Sequence, residues 1–532
     1  MKSLFVFVLT VFLTIASLAD PYPRQAIDVR HYRFRIELND TTNIIGGEAS
    51  IAIQFNKAMG SVYLDLGSVL TNGTGMTVSK VRMNGTDLTY AHSNGKLTLQ
   101  LPTTVAAGDT RTFEIQYAGI PEDGLIIGKN KFGDRTFFAD HWPDRGHLWL
   151  PCIDHPSDKS TVEFVIVAPE YYQVVASGRL VEESNMDRHR KLTRYSEEVP
   201  IPVKVMAVGV ARFAMEVSAV IDNIPQSTWV YPQNRDDGFS DFKVSVNVFD
   251  YFHRSIGPYS YEKLAHVQSK TRWGGLENAG NIFYRESAVN GKGTIEKLIA
   301  HETAHQWFGN SVAEKDWHHV WVSEGFATYF ALLYLEHTYG PERLAADLAT
   351  DRQNVLKYYQ KNPKPIVDTT ITEIGKVLST NTYQKASWVL HMLRQRIGDE
   401  NFWKGIRTYY KTYQNTNVLS ADFQKIMEQA SGQDLGAFFR QWLYQAGHPN
   451  FNLNWTYNKA RSEVTVTIQQ KEPRFDFPLD IRFRIPDGAP VDRTVTVNGA
   501  EVKISLPVPA KPTGVELDPG TRLLFEGVVQ GR

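Results

Sequence analysis

His301-Glu302-Thr303-Ala304-His305 places two imidazoles four residues apart, with a carboxylate next to the first. On a helix, positions i and i+4 share one face, so both rings can point at one metal ion. Glu302 then reaches a water held by that ion. Alone, the pentapeptide is a moderate signal, since two partly exposed histidines on any helix would also satisfy it. Glu324 adds the missing ligand. It follows His305 with eighteen residues between them and opens a second helically spaced stretch. An antiparallel helix pair joined by residues 310–321 would bring Glu324 back beside the histidines. Two His and one carboxylate leave a fourth position open, the arrangement of a catalytic zinc rather than a structural one. Such a zinc, one Zn2+ per chain, polarises a carbonyl and lowers the pKa of its water towards about 7. Glu302 would take the proton and later deliver it to a leaving amine.

A second feature lies upstream, in Trp273-Gly274-Gly275-Leu276-Glu277-Asn278. Glycines let a backbone approach a ligand closely. A carboxylate beside an extended stretch can pair with the charged amino terminus of a substrate. By itself this is weak, because Gly-Gly followed by Glu is common in turns.

These residues need elements to hold them. Residues 295–308, 324–339, 384–397 and 434–446 carry apolar residues at helical spacing, as do 241–255 before them. Strand-like pieces at 265–269 and 281–284 lie between the first two helices, so the middle of the chain reads as α+β. Before about Val230 the texture is all-β. Residues 32–38 and 49–55 alternate apolar and polar, and 97–101, 113–117, 162–167 and 203–210 continue the pattern. From Phe451 alternation returns at 463–468, 479–485, 494–497 and 515–517. The expected plan is a signal peptide over 1–19, an N-terminal β saddle or sandwich over 20–230, an α+β block over 231–448 and a small β module over 449–532.

The chain has 532 residues, 42% hydrophobic and 22% charged, which suits a globular protein with several cores and excludes bulk disorder. The 57 Lys+Arg and 58 Asp+Glu nearly cancel, so no global field favours nucleic acid. One cysteine, Cys152, excludes an intramolecular disulfide and a cysteine zinc site. Lys2, the apolar run 4–18 and Ser17-Leu18-Ala19 read as an export signal. The run is too short to span a membrane, which takes about 20 residues. The expectation is an exported, periplasmic or extracellular protein, tilted towards a bacterial source by the lack of disulfides, with no membrane span once the signal is removed.

Together these motifs resemble the M1 zinc aminopeptidases, or gluzincins. That family pairs a Gly-x-Met-Glu-Asn motif with His-Glu-x-x-His, eighteen residues and Glu. Trp307-Phe308-Gly309-Asn310, Tyr383-Gln384-Lys385-Ala386, Leu150-Pro151-Cys152-Ile153-Asp154 and Ala446-Gly447-His448-Pro449 are similar to family segments too. The resemblance implies His301, His305 and Glu324 as zinc ligands and Glu302 as general base. It implies Tyr383 as donor to the oxyanion and Glu277 as anchor of the substrate's free α-amine. Gly274, Gly275, Leu276 and Asn278 complete the substrate-binding stretch, where family backbone aligns a peptide as an added strand. The fold it implies is a β saddle, a thermolysin-like catalytic domain and a β-sandwich, in a short three-domain form without the further helical domain of many relatives. The substrates would be peptides with a free N-terminus.

Two departures from the family pattern stand out. Leu276 replaces the usual Met, keeping an apolar wall that suits uncharged first residues. Trp142 occupies the place, ten residues before Cys152, where a Glu or Gln usually shares the amine-anchoring work; Asp140 or Asp144 could stand in, or Glu277 could act with less help. His318 and His319 read as packing or support rather than a second metal site, and Cys152 as a core thiol. Competing readings are a lipid-epoxide hydrolase branch of the family and a zinc-free scaffold; the full ligand set argues against the second.

Overall fold

The computed structural model describes residues 26–531, so the expected export signal lies outside the described residues. An eight-stranded sheet dominates the first part. Its centre pairs Ile27–Glu37 with Ile45–Phe55 antiparallel and with Lys159–Pro169 in parallel, Phe34 lying opposite Phe164. The alternation read from sequence is the reason: Val29, Phe34, Ile51, Ile53 and Phe164 are fully buried along one face while their neighbours are not. A three-stranded sheet (Met59–Asp65, Lys96–Val105, Tyr90–Ser93) and a four-stranded one (Gln173–Ala176, Val208–Ala211, Arg135–Ala139, Leu125–Lys129) complete this β-rich region.

The next sheet positions the site. It runs Ala214–Ile221, Ile224–Val230, Leu264–Ser269, Asn281–Arg285 and, at its edge, Gly275–Leu276. The boundary expected at Val230 therefore falls inside one sheet, because strands 214–230 pair onward with Leu264–Ser269. Helices follow, with Glu296–Ala304 packed on Trp321–Tyr339, and Trp321–Tyr339 on Ala386–Ile397. Two sheets close the chain, one of four strands from Asn450–Asn458 to Glu526–Gly531 and one of three around Phe477–Arg484.

Several expected elements shift. Residues 203–210 form a 3-10 turn, Val203–Val205, and a separate strand, Val208–Ala211. Residues 241–255 straddle two helices, Arg235–Asp241 and Ser245–Ser255. The helix expected over 295–308 ends at Ala304, and residues 434–446 hold only Gly436–Phe439 and a π-helical turn, Arg440–Tyr444. Three helices that periodicity had not singled out are present: Pro341–Tyr359, Asp399–Tyr413 and Ser420–Ser431. No helix of the described residues is long and apolar enough to cross a membrane.

Candidate active site

Glu296–Ala304 brings His301 into its last turn, and His305 follows as the cap, still in right-handed helical geometry at φ −56°, ψ −27°. The two Nε2 atoms are 3.1 Å apart. Glu324 sits in the first turn of Trp321–Tyr339, and its Oε2 lies 3.4 Å from His301 Nε2 and 3.3 Å from His305 Nε2. Three ligand atoms converge with no hydrogen bond to Glu324 Oε2, an orphaned buried oxygen that a cation would satisfy. The donor set, two imidazoles and a carboxylate, fits zinc.

Outer contacts fix the ligands. His305 Nδ1 donates to the carbonyl of Phe308 at 3.2 Å, with Ser323 Oγ at 3.1 Å, which leaves Nε2 free to coordinate. Gly309, at φ +122°, makes that close packing possible, since a Cβ there would lie 2.3 Å from Ser323 Oγ. Gly325 plays the same part between helices, where a Cβ would come 2.5 Å from that of Ala386.

Tyr383 stands on a π-helical turn, Asn381–Lys385, of the kind that often marks a functional position. Thr382 Oγ1 and Asn381 Nδ2 pin this turn to the carbonyls of Val377 and Lys364 at 3.0 and 2.9 Å. The Tyr383 ring stacks on His301 at 6.0 Å and 16°. Burial, then Glu324 and Glu277, push its phenol well above the usual range, so it stays a donor at neutral pH.

Glu277 follows the edge strand and is held through its backbone. Its carbonyl accepts from Asn310 Nδ2 at 2.5 Å and Gln306 Nε2 at 3.2 Å, while Gln306 Oε1 accepts from the N–H of Gly280. The side chain is buried and unpaired: Oε1 has no hydrogen-bond partner, and a carboxylate oxygen lies within 4.8 Å of ligand atoms of Glu302 and His305. Burial and the facing Glu277 and Glu324 carboxylates, opposed by His305, push Glu302 well above the usual carboxylate range. Burial disfavours the His305 cation, but Glu324, Glu277 and Glu302 outweigh it and raise His305 to about 9. The strand Gly275–Leu276 ends its sheet, so its outer edge is free to pair with an extended chain.

These groups share one cavity of about 220 Å³. His301, His305, Glu324, Glu302, Tyr383, Gly274, Gly275, Leu276 and Glu277, the residues singled out in the sequence, all line it; Asn278 does not, being 1% exposed with its amide unpaired behind the strand. Trp142 lines it too, whereas Asp140 is buried on Arg145, Thr271 and the Arg272 N–H, and Asp144 lies outside the cavity. His318 is engaged by Asp316 and the carbonyl of Ile371, and His319 by Ser420, as supporting residues would be. Burial pushes the Cys152 thiol well above its ordinary range. Sequence reasoning placed Asn310 in a family segment without a role, and missed Gln306, Ser323 and the buried pair Lys204–Glu314 at 2.6 Å, whose ammonium lies over the rings of Trp142 and Trp317.

A helix pair presents two histidines and a glutamate beside two further carboxylates, at the edge of a sheet, as a candidate metal centre. Residues 241–442 match the peptidase family M1 domain and residues 29–203 the peptidase M1 N-terminal domain, and the chain belongs to peptidase family M1. Glutamyl aminopeptidase of Homo sapiens is 28% identical over 363 residues, 65% of this chain and 38% of that protein. Aminopeptidase A of Gloydius brevicauda is 28% identical over 376 residues, 68% of this chain and 39% of that protein. The chain thus spans well under half the length of these relatives. The crystal structure of Legionella pneumophila aminopeptidase A in complex with aspartic acid has the same fold, with a TM-score of 0.82, 17% identity, and coverage of 96% of this chain and 60% of that one.

Proposed function

We propose that the chain is a zinc-dependent aminopeptidase that removes the first residue of peptides with a free amino terminus. The observation that carries this reading is the convergence of His301, His305 and Glu324 within 3.4 Å of one another, in one cavity with Glu302 and Glu277. Bound by that trio, zinc would supply Lewis acidity towards a carbonyl and acidify water towards neutral pH. Glu302 accepts the proton of the attacking water and hands it to the leaving amine. Its place in the cavity beside the metal trio suits a group that both takes and gives a proton. Tyr383 donates its O–H to the oxyanion that forms on the scissile carbonyl.

Glu277 pairs with the substrate's ammonium and so counts the cleavage point from the amino end. The open edge of Gly275–Leu276 aligns the peptide backbone. With Trp142 in place of a second anchor, and Asp140 taken by arginines, Glu277 does this work without another carboxylate from that loop. The apolar run over residues 4–18 supports export, and the chain divides into an N-terminal β domain, a middle catalytic domain that takes in strands 214–230 and runs to residue 448, and a C-terminal β domain over 449–532. The glutamyl specificity in the relatives' names belongs to those proteins.

The test is a pair of variants. Glu302→Gln is expected to keep zinc and lose turnover, by about 10²–10⁴-fold for a placed acid–base group. Glu277→Ala is expected to raise KM for free-amine substrates far more than it alters cleavage of any N-blocked one. Normal turnover by Glu302→Gln would overturn the mechanism.

A further inference from the structure

We infer that the first-residue pocket selects uncharged, apolar side chains and rejects Glu and Asp, with Leu378 and Leu298 as specificity-determining residues at its wall. This rests on the aminopeptidase reading above. The cavity around Glu277 carries five apolar side chains, Trp142, Trp273, Leu276, Leu298 and Leu378, beside its charged groups. The indole nitrogens of Trp142 and Trp273 have no partner and are closed off from solvent, so the two rings turn carbon rather than a donor towards the space.

The charges that line the same cavity are three carboxylates, Glu277, Glu302 and Glu324, with the two histidines of the metal trio. Among the described residues no lysine or arginine lines it. Of the nearby cations, Lys204 pairs with Glu314 at 2.6 Å, Arg272 with Asp123 at 2.5 Å and Asp140 at 3.8 Å, and Arg285 donates to the backbone carbonyls of Arg272 and Trp273. Lys385, two residues after Tyr383, is buried with its Nζ unpartnered, and it does not line the cavity. An acidic first residue would bring a fourth carboxylate into this space with no lysine or arginine to meet it. Such a group keeps its full desolvation penalty.

A basic first residue fares little better. Glu277 is committed to the α-ammonium, Glu302 to proton transfer and Glu324 to the metal, so no carboxylate is left for a lysine or arginine side chain. An aliphatic or aromatic side chain, by contrast, replaces water against five apolar walls. Leu378 and Leu298 are both half-buried, so each can be changed without opening the core.

The experiment is kcat/KM for a panel of aminoacyl-anilides on the zinc-loaded full chain, with Leu, Met, Phe, Glu, Asp and Lys at the first position. Leu, Met or Phe is expected to exceed Glu and Asp by at least ~10²-fold, because an unpaired buried carboxylate is rejected strongly while a methylene more or less is not. Leu378→Lys, and independently Leu298→Lys, should cut the Leu-to-Glu ratio by at least ~10-fold by supplying the missing cation. Chelator-sensitive cleavage with Glu or Asp fastest would overturn the inference and leave the aminopeptidase reading standing. Unchanged ratios in both folded lysine variants would overturn the role given to these leucines. No cleavage of any member would overturn both the inference and the reading beneath it.

Discussion

Gly275 offers a sharp test of how the general base is held. A Cβ built on it would lie 2.4 Å from Glu302 Oε1 and 2.5 Å from Glu302 Cδ and Cγ. Ordinary contact begins near 3.4 Å, so in Gly275→Ala the carboxylate must retreat by about 1 Å. A misplacement of about 1 Å costs ~10²-fold in rate, which corresponds to about 2.7 kcal/mol of barrier. The change is otherwise mild: the backbone there is ordinary extended strand and the residue is half-buried. Gly274→Ala serves as the control, because its Cβ would meet only Leu298, at 3.8 and 4.0 Å. Steady-state hydrolysis of a leucyl-anilide, with zinc content and thermal melting measured on the same samples, should show Gly275→Ala folded, metal-loaded and slower in kcat by ~10²-fold. Gly274→Ala should stay within a few-fold of the wild type. A Gly275→Ala enzyme with full metal and a kcat near the wild-type value would refute the claim that this glycine seats the base.

Two further outcomes concern stability. Lys204 and Glu314 are 1% and 0% exposed and pair at 2.6 Å, so Lys204→Met leaves a buried carboxylate alone and should cost about 3–5 kcal/mol in denaturant unfolding; a loss under about 1 kcal/mol would contradict it. His147 Nδ1 lies 2.9 Å from Asp154 Oδ2; burial opposes its cation, but the hydrogen bond and charge of Asp154 win and raise it to about 8. A folded pKa above the unfolded value of 6.5 gives stability that is complete below that pH and lost as pH rises through about 8. Comparing wild type with His147→Asn from pH ~6 to ~9, the difference in unfolding free energy should shrink by about 1–2 kcal/mol. A difference that does not vary with pH would contradict the assignment.

What the sequence shows and hides follows from range. The spacing of His301, His305 and Glu324 is a property of two neighbouring helices, so local periodicity exposes it. The staples on Glu277 join residues 33 and 29 positions apart through a backbone carbonyl, which no side-chain pattern encodes. Lys204 and Glu314 are 110 positions apart, and each alone reads as a surface charge. Strands 214–230 share the alternating texture of everything before them, so nothing local says that they join a different sheet. Pro341–Tyr359 buries Leu344, Leu348, Asp351 and Val355 at helical spacing, but Asp351 breaks the apolar stripe with a charge. Asp399–Tyr413 is different: Phe402, Ile406, Tyr409 and Tyr410 lie at helical spacing and were there to be read. The shortened helix at Ala304 reflects the tight turn through Gly309 that folds His305 onto Ser323.

The most direct test of the central claim compares free and N-acetylated leucyl-anilide on the full chain as zinc-loaded, chelator-stripped and zinc-restored protein. The account predicts cleavage of the free-amine substrate alone, abolished by stripping and recovered on restoring zinc. Equal cleavage of the acetylated substrate, or activity that survives complete removal of the metal, would contradict it.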